Sequence, residues 1–167
     1  MLNMEKFKEM IHYIIYNCES QQILETVLYK LLYFSDFNFH EIYEKPISNE
    51  TYIRKENGPV PADFKTAKEQ LINENKINEE KEIAINYPKY KYNSNKQPEL
   101  KLLNQEETAV IDDVLDKLSS FNAIKISDYS HGDMPWRVAK DGEIMDYEYV
   151  FYRDDEYSVR NYDEEIV

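Results

Sequence analysis

The strongest candidate for catalysis in this sequence is His131, which lies between Ser130 and Asp133. Nucleophilic catalysis needs a serine, cysteine or threonine within hydrogen-bond reach of a base that a third group orients. Neighbours in sequence rarely meet in that geometry, and the G-x-S-x-G turn of serine hydrolases is absent. We therefore interpret His131 as a helix-end or turn residue whose ring nitrogens bind backbone groups.

Metal and cofactor sites have as little support. His12, His40 and His131 are scattered without an H-x-x-x-H pair, and Cys18 is the only cysteine. A cysteine-based zinc site and a disulfide framework are therefore excluded. The sequence has no D-x-D-x-D-G calcium loop, and three glycines are too few for a glycine-rich phosphate loop. We expect no metal, no cofactor and no enzymatic activity.

The net charge limits the class of partner. The chain has 20 basic and 33 acidic residues, which gives a net charge of −13. Such a chain is a poor binder of nucleic acid or of an anionic membrane. Its first residues contain no apolar run that a secretion signal could use, and no stretch is long enough for a membrane span. We expect a cytoplasmic protein without a membrane partner.

One segment has the composition of a nucleic-acid-binding hairpin. Cations interleaved with aromatic rings favour single-stranded nucleic acid, but alternating lysines also protect edge strands from aggregation. Because phosphate contacts supply most of the affinity and the net charge is −13, we favour the edge-strand interpretation. The residues concerned lie within 81–101 and are Tyr87, Lys89, Tyr90, Lys91, Tyr92, Lys96 and Lys101.

Acidic residues are concentrated at the end of the chain. Residues 141–167 contain ten acids and two arginines, a balance of −8. A purely solvating acidic tail has few aromatic residues, whereas this segment is rich in tyrosine, which supplies contact area at low rotamer cost. Two hypotheses remain open: the segment packs on the domain with Tyr147, Tyr149 and Phe151 in a strand and only the last dozen residues solvated, or it binds a partner protein.

The periodicity of apolar residues predicts the elements that position these groups. Helical spacing covers 4–18, 23–43, 62–73 and a stretch from Asn104, where Glu107 completes a capping box. Ser20 is a plausible N-cap for the second helix, which ends near Tyr43, and Ser127 or Asp128 caps one more short helix. Extended segments are predicted at 51–54 and in a hairpin from Ile83 and Ile85 to Tyr90 and Tyr92.

These elements indicate an α+β fold that is predominantly α-helical: a compact multi-helix domain with a small β-hairpin or sheet. We divide the chain into a helical domain, 1–140, and the acidic tyrosine-rich segment, 141–167, which either belongs to the same domain or stands apart. Lys30, amid apolar neighbours, is expected to snorkel or to pair with a carboxylate.

Two further features could be contact sites. Asn57-Gly58-Pro59-Val60-Pro61 is predicted to form a rigid exposed corner, either a contact platform or, as we favour, a turn that links a strand to a helix. Trp136, beside Pro135, is either an interface anchor or, as we favour, a core residue. The candidate partner-binding residues are therefore Asn57, Gly58, Pro59, Val60, Pro61, His131, Trp136, Tyr147, Tyr149, Tyr152, Tyr157 and Tyr162.

Three stretches together resemble the SocA-like antitoxin family with the Panacea domain. They are Lys30-Leu31-Leu32-Tyr33-Phe34 followed by Tyr43 and Pro46-Ile47; Tyr52 with Asn57-Gly58-Pro59-Val60-Pro61 and Phe64; and Ser130-His131 with Pro135-Trp136. The resemblance covers about Ile23 to Lys140. The chain departs from the family at Glu44-Lys45, where members often have a glycine.

The resemblance implies a mainly helical, non-enzymatic module of bacterial, archaeal and phage genomes that binds and neutralises a cognate toxin encoded beside it. It assigns no catalytic residues. Three other functions stay open: a proteolytic adaptor that delivers the toxin to a protease, a nucleic-acid-binding regulator that uses the hairpin, and a phage counter-defence protein that mimics nucleic acid.

Overall fold

Helices dominate the structure: 49% of the chain is helical and 16% is strand, which confirms the predicted helix-rich α+β class. The computed structural model describes residues 1–20, 22–83 and 86–165. No helix in this described part combines the length and the apolar character that crossing a bilayer requires.

The elements alternate between helices and short strands along the chain. In order they are α1 Met4–Asn17, β1 Ile23–Leu24, α2 Glu25–Tyr43, β2 Tyr52–Lys55, β3 Gly58–Pro61, α3 Phe64–Asn73, β4 Ile77–Ile83, β5 Pro88–Ser94, α4 Gln105–Leu118, α5 Ala123–His131 and α6 Met134–Val138, followed by 3₁₀ helices at Tyr147–Tyr152 and Tyr162–Glu165.

The second helix, α2, is the centre of the fold. It contacts α1, α4, α5, β3 and the 3₁₀ helix Tyr147–Tyr152. Residues on most of its circumference are buried, among them Leu28, Tyr33 and Phe37, as its wide apolar stripe predicts. The strand β3, the helix α5 and the 3₁₀ helix Tyr147–Tyr152 therefore all rest on α2.

Two small antiparallel sheets flank the helices. In the first, the strand order is β1-β5-β4, and in the second β2 pairs with β3. Lys89 and Lys91 lie on β5, which pairs with the outer strand β4 along its length and with β1 only at its Tyr92 end. The predicted hairpin is therefore present, but Lys89 and Lys91 lie on β5, whereas Lys81 lies on the outer strand β4. Ile85 falls outside the described residues.

Two predicted helix starts are wrong. The N-cap of α2 is Leu24 and not Ser20, because Ile23 and Leu24 pair with β5 before the helix can begin. The helix α5 begins at Ala123, with the side chain of Asn122 as its cap, several residues before Ser127. By contrast, the predicted capping box at the start of α4 is present in full.

Two predicted backbone shapes are also wrong. Gly58–Pro61 is a strand and not a corner, because Gly58 pairs with Lys55 and Pro61 pairs with Tyr52. The segment Tyr147–Tyr152 is a 3₁₀ helix and not a strand; the side chain of Asp146 accepts a hydrogen bond from Glu148 N and starts the turn.

The end of α2 explains the departure from the family at Glu44-Lys45. Glu44 follows the last helical residue and has φ 62°, in the left-handed region that favours glycine. Its carboxylate lies 3.3 Å from Arg160 Nη2, an ion pair on a largely exposed side chain. This chain therefore ends α2 with a non-glycine residue in a conformation that favours glycine.

Glycine at position 44 should stabilise the protein relative to alanine. Both Glu44→Gly and Glu44→Ala remove the contact with Arg160, but only glycine relieves the left-handed backbone. We expect the glycine variant to be more stable than the alanine variant by about 1 kcal/mol in urea unfolding. Equal stabilities would show that the left-handed conformation is not retained in solution.

Candidate partner-binding surfaces

A buried arginine binds the acidic segment to the helices. The side chain of Arg153 is fully buried; its Nε and Nη2 each lie 2.8 Å from a carboxylate oxygen of Asp133. Its Nη1 donates to Asn38 Oδ1 at 2.8 Å and to Glu41 Oε1 at 3.0 Å. Burial lowers the pKa of Arg153, but the neighbouring carboxylates, with Asp133 foremost, outweigh it and hold the pKa above its usual value. Arg153 thus joins α2, the start of α6 and the acidic segment.

Glu41 and Asp133 also bind other parts of the protein. Tyr33, in the middle of α2, donates its hydroxyl to Asp133 Oδ2 at 2.8 Å. Glu41 accepts hydrogen bonds from Ser158 Oγ at 2.5 Å and from Val159 N at 3.0 Å. Two successive places of the acidic segment, Arg153 and Ser158–Val159, are therefore both held by Glu41 on α2.

The predicted partner-binding tyrosines divide into bound and exposed residues. Tyr147 stacks on Phe37 with ring centroids 4.1 Å apart and donates to a backbone oxygen, and Tyr157 is only 8% exposed. Tyr162 is partly exposed, although its hydroxyl donates to Glu41. Tyr149 is half-buried, whereas 69% of Tyr152 is exposed. Only Tyr152 among them presents most of its ring to solvent.

Tyr152 stands among exposed carboxylates. The rings of Tyr149 and Tyr152 lie 6.1 Å apart, at the end of the 3₁₀ helix and directly before Arg153. Acidic side chains precede and follow them. In the part of the chain that the structure describes, Asp154 forms an ion pair with the exposed Arg137, and Glu148 lies 3.6 Å from the buried His40 Nε2. We call this surface the acidic ridge; its residues are Glu148, Tyr149, Tyr152, Asp154, Asp155 and Glu156.

The other predicted residues lie on a different surface. Gly58, Pro59 and Pro61 are buried, Val60 is half-buried, and only Asn57 of this motif is exposed. Next to this hairpin is a shallow pocket of about 720 Å³. We call it the β2–α6 pocket. Two of its lining residues, His131 and Trp136, were candidates in the sequence analysis, and the others were not. The full lining is Arg54, Lys55, Glu56, His131, Trp136, Asp141 and Gly142.

Side-chain contacts fix the position of His131 and Trp136, which form the aromatic wall of the β2–α6 pocket. The rings of His131 and Trp136 stack with centroids 4.4 Å apart, and the guanidinium carbon of Arg54 lies 4.3 Å from the Trp136 ring centroid. Arg54 Nη1 donates to the backbone oxygens of Trp136 and Ala139 at 2.8 Å. Its Nε contacts Asp141, a side chain that is 85% exposed. Trp136 itself is 5% exposed, as we expected for a core position.

His131 departs from the expectation that backbone groups satisfy both ring nitrogens. Its Nε2 is buried and has no hydrogen-bond partner among the described residues. Burial lowers the pKa of His131, and the positive charges of Lys30 and Arg54 act in the same direction against the carboxylate of Asp128. Burial and these two cations thus oppose protonation of the imidazole, whereas Asp128 favours it.

Lys30 lies behind this surface and is 2% exposed. In the described part of the chain no carboxylate oxygen comes within 4 Å of its Nζ, so the expected ion pair is absent and the side chain does not snorkel to the surface. Burial lowers the pKa of Lys30 to about 8. Gly58 makes room for it: a Cβ at position 58 would lie 2.5 Å from Lys30 Cε.

Asp36 is another buried carboxylate, and it lies on α2. Asp36 on α2 accepts hydrogen bonds from Ser48 N, Ser48 Oγ and Tyr52 Oη at 2.7–2.8 Å. Burial raises its pKa to about 6, against the effect of these hydrogen bonds. The sequence analysis identified none of Asp36, Asp133 and Arg153 as a buried charge. For Asp36 there was a usable signal, because it is a charged residue on the apolar circumference of α2.

The hairpin of β4 and β5 is not a basic surface. Its strands carry Glu79, Glu80 and Glu82 against Lys81, Lys89 and Lys91, and Lys91 lies 2.9 Å from Glu82. The arrangement gives phosphate groups no excess of positive charge, which agrees with the lower weight that we gave to nucleic-acid binding.

A family model described as "Antitoxin SocA-like, Panacea domain" matches residues 28–137, which are 110 of the 167 residues. The matched part includes Lys30, the hairpin of β2 and β3, and Trp136, but it ends before Arg153 and the acidic ridge. Neither the curated proteins nor the solved structures contain a match to this chain.

Removing Arg153 should destabilise the protein far more than removing an exposed arginine. Arg153→Ala leaves Asp133 and Glu41 buried without their cation, so we expect a loss of about 3–5 kcal/mol in urea unfolding. Arg137→Ala removes an exposed ion pair and should cost less than about 1 kcal/mol. Similar losses of unfolding free energy for the two variants would contradict the conclusion that the buried Arg153 holds the acidic segment in place.

Removing the charge of Lys30 should stabilise the protein, in contrast to the removal of Arg153. Lys30→Met replaces a buried charge that has no counterion with an apolar chain of similar length, so we expect a gain of about 1–3 kcal/mol at pH 7. Because the folded pKa is lowered to about 8, the penalty is complete below pH 8 and fades as the pH rises toward 10.5. The gain should therefore shrink between pH 7 and pH 9.5, whereas Lys89→Met, at an exposed site, should change little at either pH.

Proposed function

The chain belongs to the SocA-like antitoxin family with the Panacea domain, and from this premise we propose that it is the antitoxin of a toxin–antitoxin pair. It binds the toxin encoded by a neighbouring gene in a stoichiometric complex and catalyses no reaction itself. The acidic ridge is the surface that contacts the toxin, and it acts by covering the toxin's active surface.

The observation that carries this proposal is that an exposed aromatic ring lies among carboxylates and directly precedes a buried, hydrogen-bonded arginine. Tyr152 and Glu148 are each 69% exposed, yet the next residue, Arg153, is clamped between Asp133 and Glu41. A surface that is already ordered loses little conformational entropy when it binds. Exposed tyrosine is also a frequent hot-spot residue at protein interfaces.

The charge of the ridge favours a basic partner. Four carboxylates lie on it; among the described residues Asp154 pairs with the exposed Arg137, and Glu148 lies 3.6 Å from Nε2 of the buried His40. Enzymes that act on nucleic acids or nucleotides commonly present basic grooves, and an anionic surface accelerates and orients the encounter with such a groove. A toxin of this kind is therefore the partner that the ridge fits best.

The first test is whether the neighbouring gene is toxic and whether this chain rescues the cells. We expect growth arrest when the neighbour is expressed alone, relief on co-expression, and a stable complex of the two purified proteins. The level of toxin should not fall during rescue, because a covered toxin persists whereas an adaptor would deplete it. A neighbour that is harmless in cells lacking this protein, or rescue without a complex, would overturn the proposal.

The second test addresses the ridge. Tyr152→Ala should weaken the Kd for the toxin about 30-fold, the effect of a hot spot worth about 2 kcal/mol, and Glu148→Gln should weaken it less. Ile83→Ala, at an exposed apolar residue on the distant hairpin, serves as the matched control and should leave the Kd unchanged. Raising the salt concentration should weaken binding of the wild type more than that of Glu148→Gln.

These point variants are preferable to a truncation of the segment. Deleting residues from Arg153 onward would remove the buried cation together with the carboxylates, so lost binding could reflect lost structure. Unchanged affinity of the folded Tyr152→Ala variant, in a complex that otherwise forms, would exclude the ridge as the contact surface and leave the antitoxin function intact.

A further inference from the structure

The outer edge of β4 is a stretch of strand with which no other strand of the described chain pairs. In the sheet order β1-β5-β4, β4 has β5 on one side and no neighbour on the other. The second sheet differs, because β3 carries Pro59 and Pro61, which lack the N–H groups that a further strand needs. From Ile77 to Ile83, β4 contains no proline. The edge of β4 is therefore able to pair with another strand.

The ladder between β4 and β5 shows which backbone groups of β4 face outward. Asn95 N donates to Lys76 O at 2.9 Å, so these opposed residues form a hydrogen-bonded pair. Hydrogen-bonded and non-bonded pairs alternate in an antiparallel ladder. In agreement with this alternation, the non-bonded position of Ile83 is opposed by Pro88, which has no N–H to donate. The residues whose N–H and C=O groups point away from β5 are therefore Ile77, Glu79, Lys81 and Ile83.

The tip of this hairpin has no third strand. β1 reaches β5 only at Tyr92 and Lys91, so the sheet consists of two strands from Lys81 to Ile83. Ile83, at the end of this part, is 90% exposed. Two-stranded hairpins are marginally stable in water, and a third strand stabilises them. A strand added along β4 would therefore stabilise the tip.

The sequence of β4 is complementary to itself when two copies run antiparallel. Outward-facing residues pair with one another, and the register that places Ile77 opposite Ile83 of the second copy also places Glu79 opposite Lys81. Each combination occurs twice, once on either side of a two-fold axis. Apolar pairs and pairs of opposite charge directly across from each other stabilise a sheet. A shift of two residues in either direction places Glu79 opposite Glu79 or Lys81 opposite Lys81, so one register is favoured.

Other charges on β4 limit the strength of such a pairing. Glu80 lies on the two-fold axis and would oppose Glu80 of the second copy, which is unfavourable for like charges. Glu82 is less of an obstacle, because its carboxylate lies 2.9 Å from Lys91 Nζ. Glu79 keeps its own ion pair with Lys68, so it shares its charge between two cations. We therefore expect a weak association that depends on the protein concentration.

We propose that two copies of this chain associate through their β4 edges, antiparallel and with Ile77 opposite Ile83, to form one continuous sheet. An edge of seven residues buries less area than a standard protein interface, so the dimer forms only at high protein concentration. The surface lies on the hairpin, apart from the acidic ridge, and the proposal does not depend on the antitoxin function.

Sedimentation of the full chain over a series of concentrations tests the association. The molar mass of the wild type should rise from 20.1 kDa toward twice that value. Lys81→Pro removes an outward N–H without breaking a bond to β5, and it should weaken the association at least about 30-fold. The matched control, Lys81→Ala, keeps the N–H and loses only the charge pair, so it should weaken the association about threefold. Glu80→Gln removes the central repulsion and should strengthen it.

Hydrogen exchange followed by NMR tests the register. The amides of Glu79, Lys81 and Ile83 should become protected as the concentration rises, whereas those of Asn78 and Glu80, which already bond to β5, should not change. If Lys81→Pro does not fold, Lys81→Glu, which opposes Glu79 with a like charge, should show the loss of association. A mass of 20.1 kDa even at about 1 mM chain would overturn the proposal. So would a dimer that a folded Lys81→Pro variant still forms with wild-type affinity, or one whose newly protected amides lie outside β4.

Discussion

The salt bridge between Arg153 and Asp133 is the interaction on which the arrangement of the C-terminal half depends. A guanidinium removed from water is expensive unless its donors are satisfied, and here Asp133, Glu41 and Asn38 accept four hydrogen bonds from it. The planar fork of arginine can engage Asp133 with two nitrogens while the third reaches α2, a geometry that lysine cannot reproduce. One side chain therefore sets the position of the acidic segment against two helices.

Tyrosine explains how a chain of low mean hydropathy, −0.74, builds a core around this pair. The ring of Tyr33 on α2 and the rings of Tyr52 and Tyr147 beside it pack as phenylalanine rings do. Their hydroxyls donate to Asp133, Asp36 and the backbone oxygen of Glu50. Each ring adds apolar area and each hydroxyl satisfies a buried acceptor. The fold uses its tyrosines as bridges between the apolar core and the buried carboxylates.

Local signals predicted the elements that local interactions determine. The capping box of α4 and the end of α2 near Tyr43 follow from residues a few positions apart, and both were correct. The strand at Ile23 and Leu24 and the 3₁₀ helix at Tyr147–Tyr152 depend on β5 and on Phe37, which are distant in sequence, so periodicity alone could not find them. The composition of the acidic segment indicated contact, but its two arginines, Arg153 and Arg160, give no sign in the sequence that one of them is fully buried.

The acidic ridge and the surroundings of Lys30 differ most in their exposure to solvent, and this gives them different electrostatics. The carboxylates of the acidic ridge act through water, where charges separated by more than about 8 Å are largely screened at physiological salt. Lys30 acts from a buried position, where screening is much weaker and the field of one ammonium is felt across the pocket. A chain with a net charge of −13 repels anions at long range. The charge of Lys30, which lies beneath Gly58, is by contrast governed by the fold and depends little on the salt concentration.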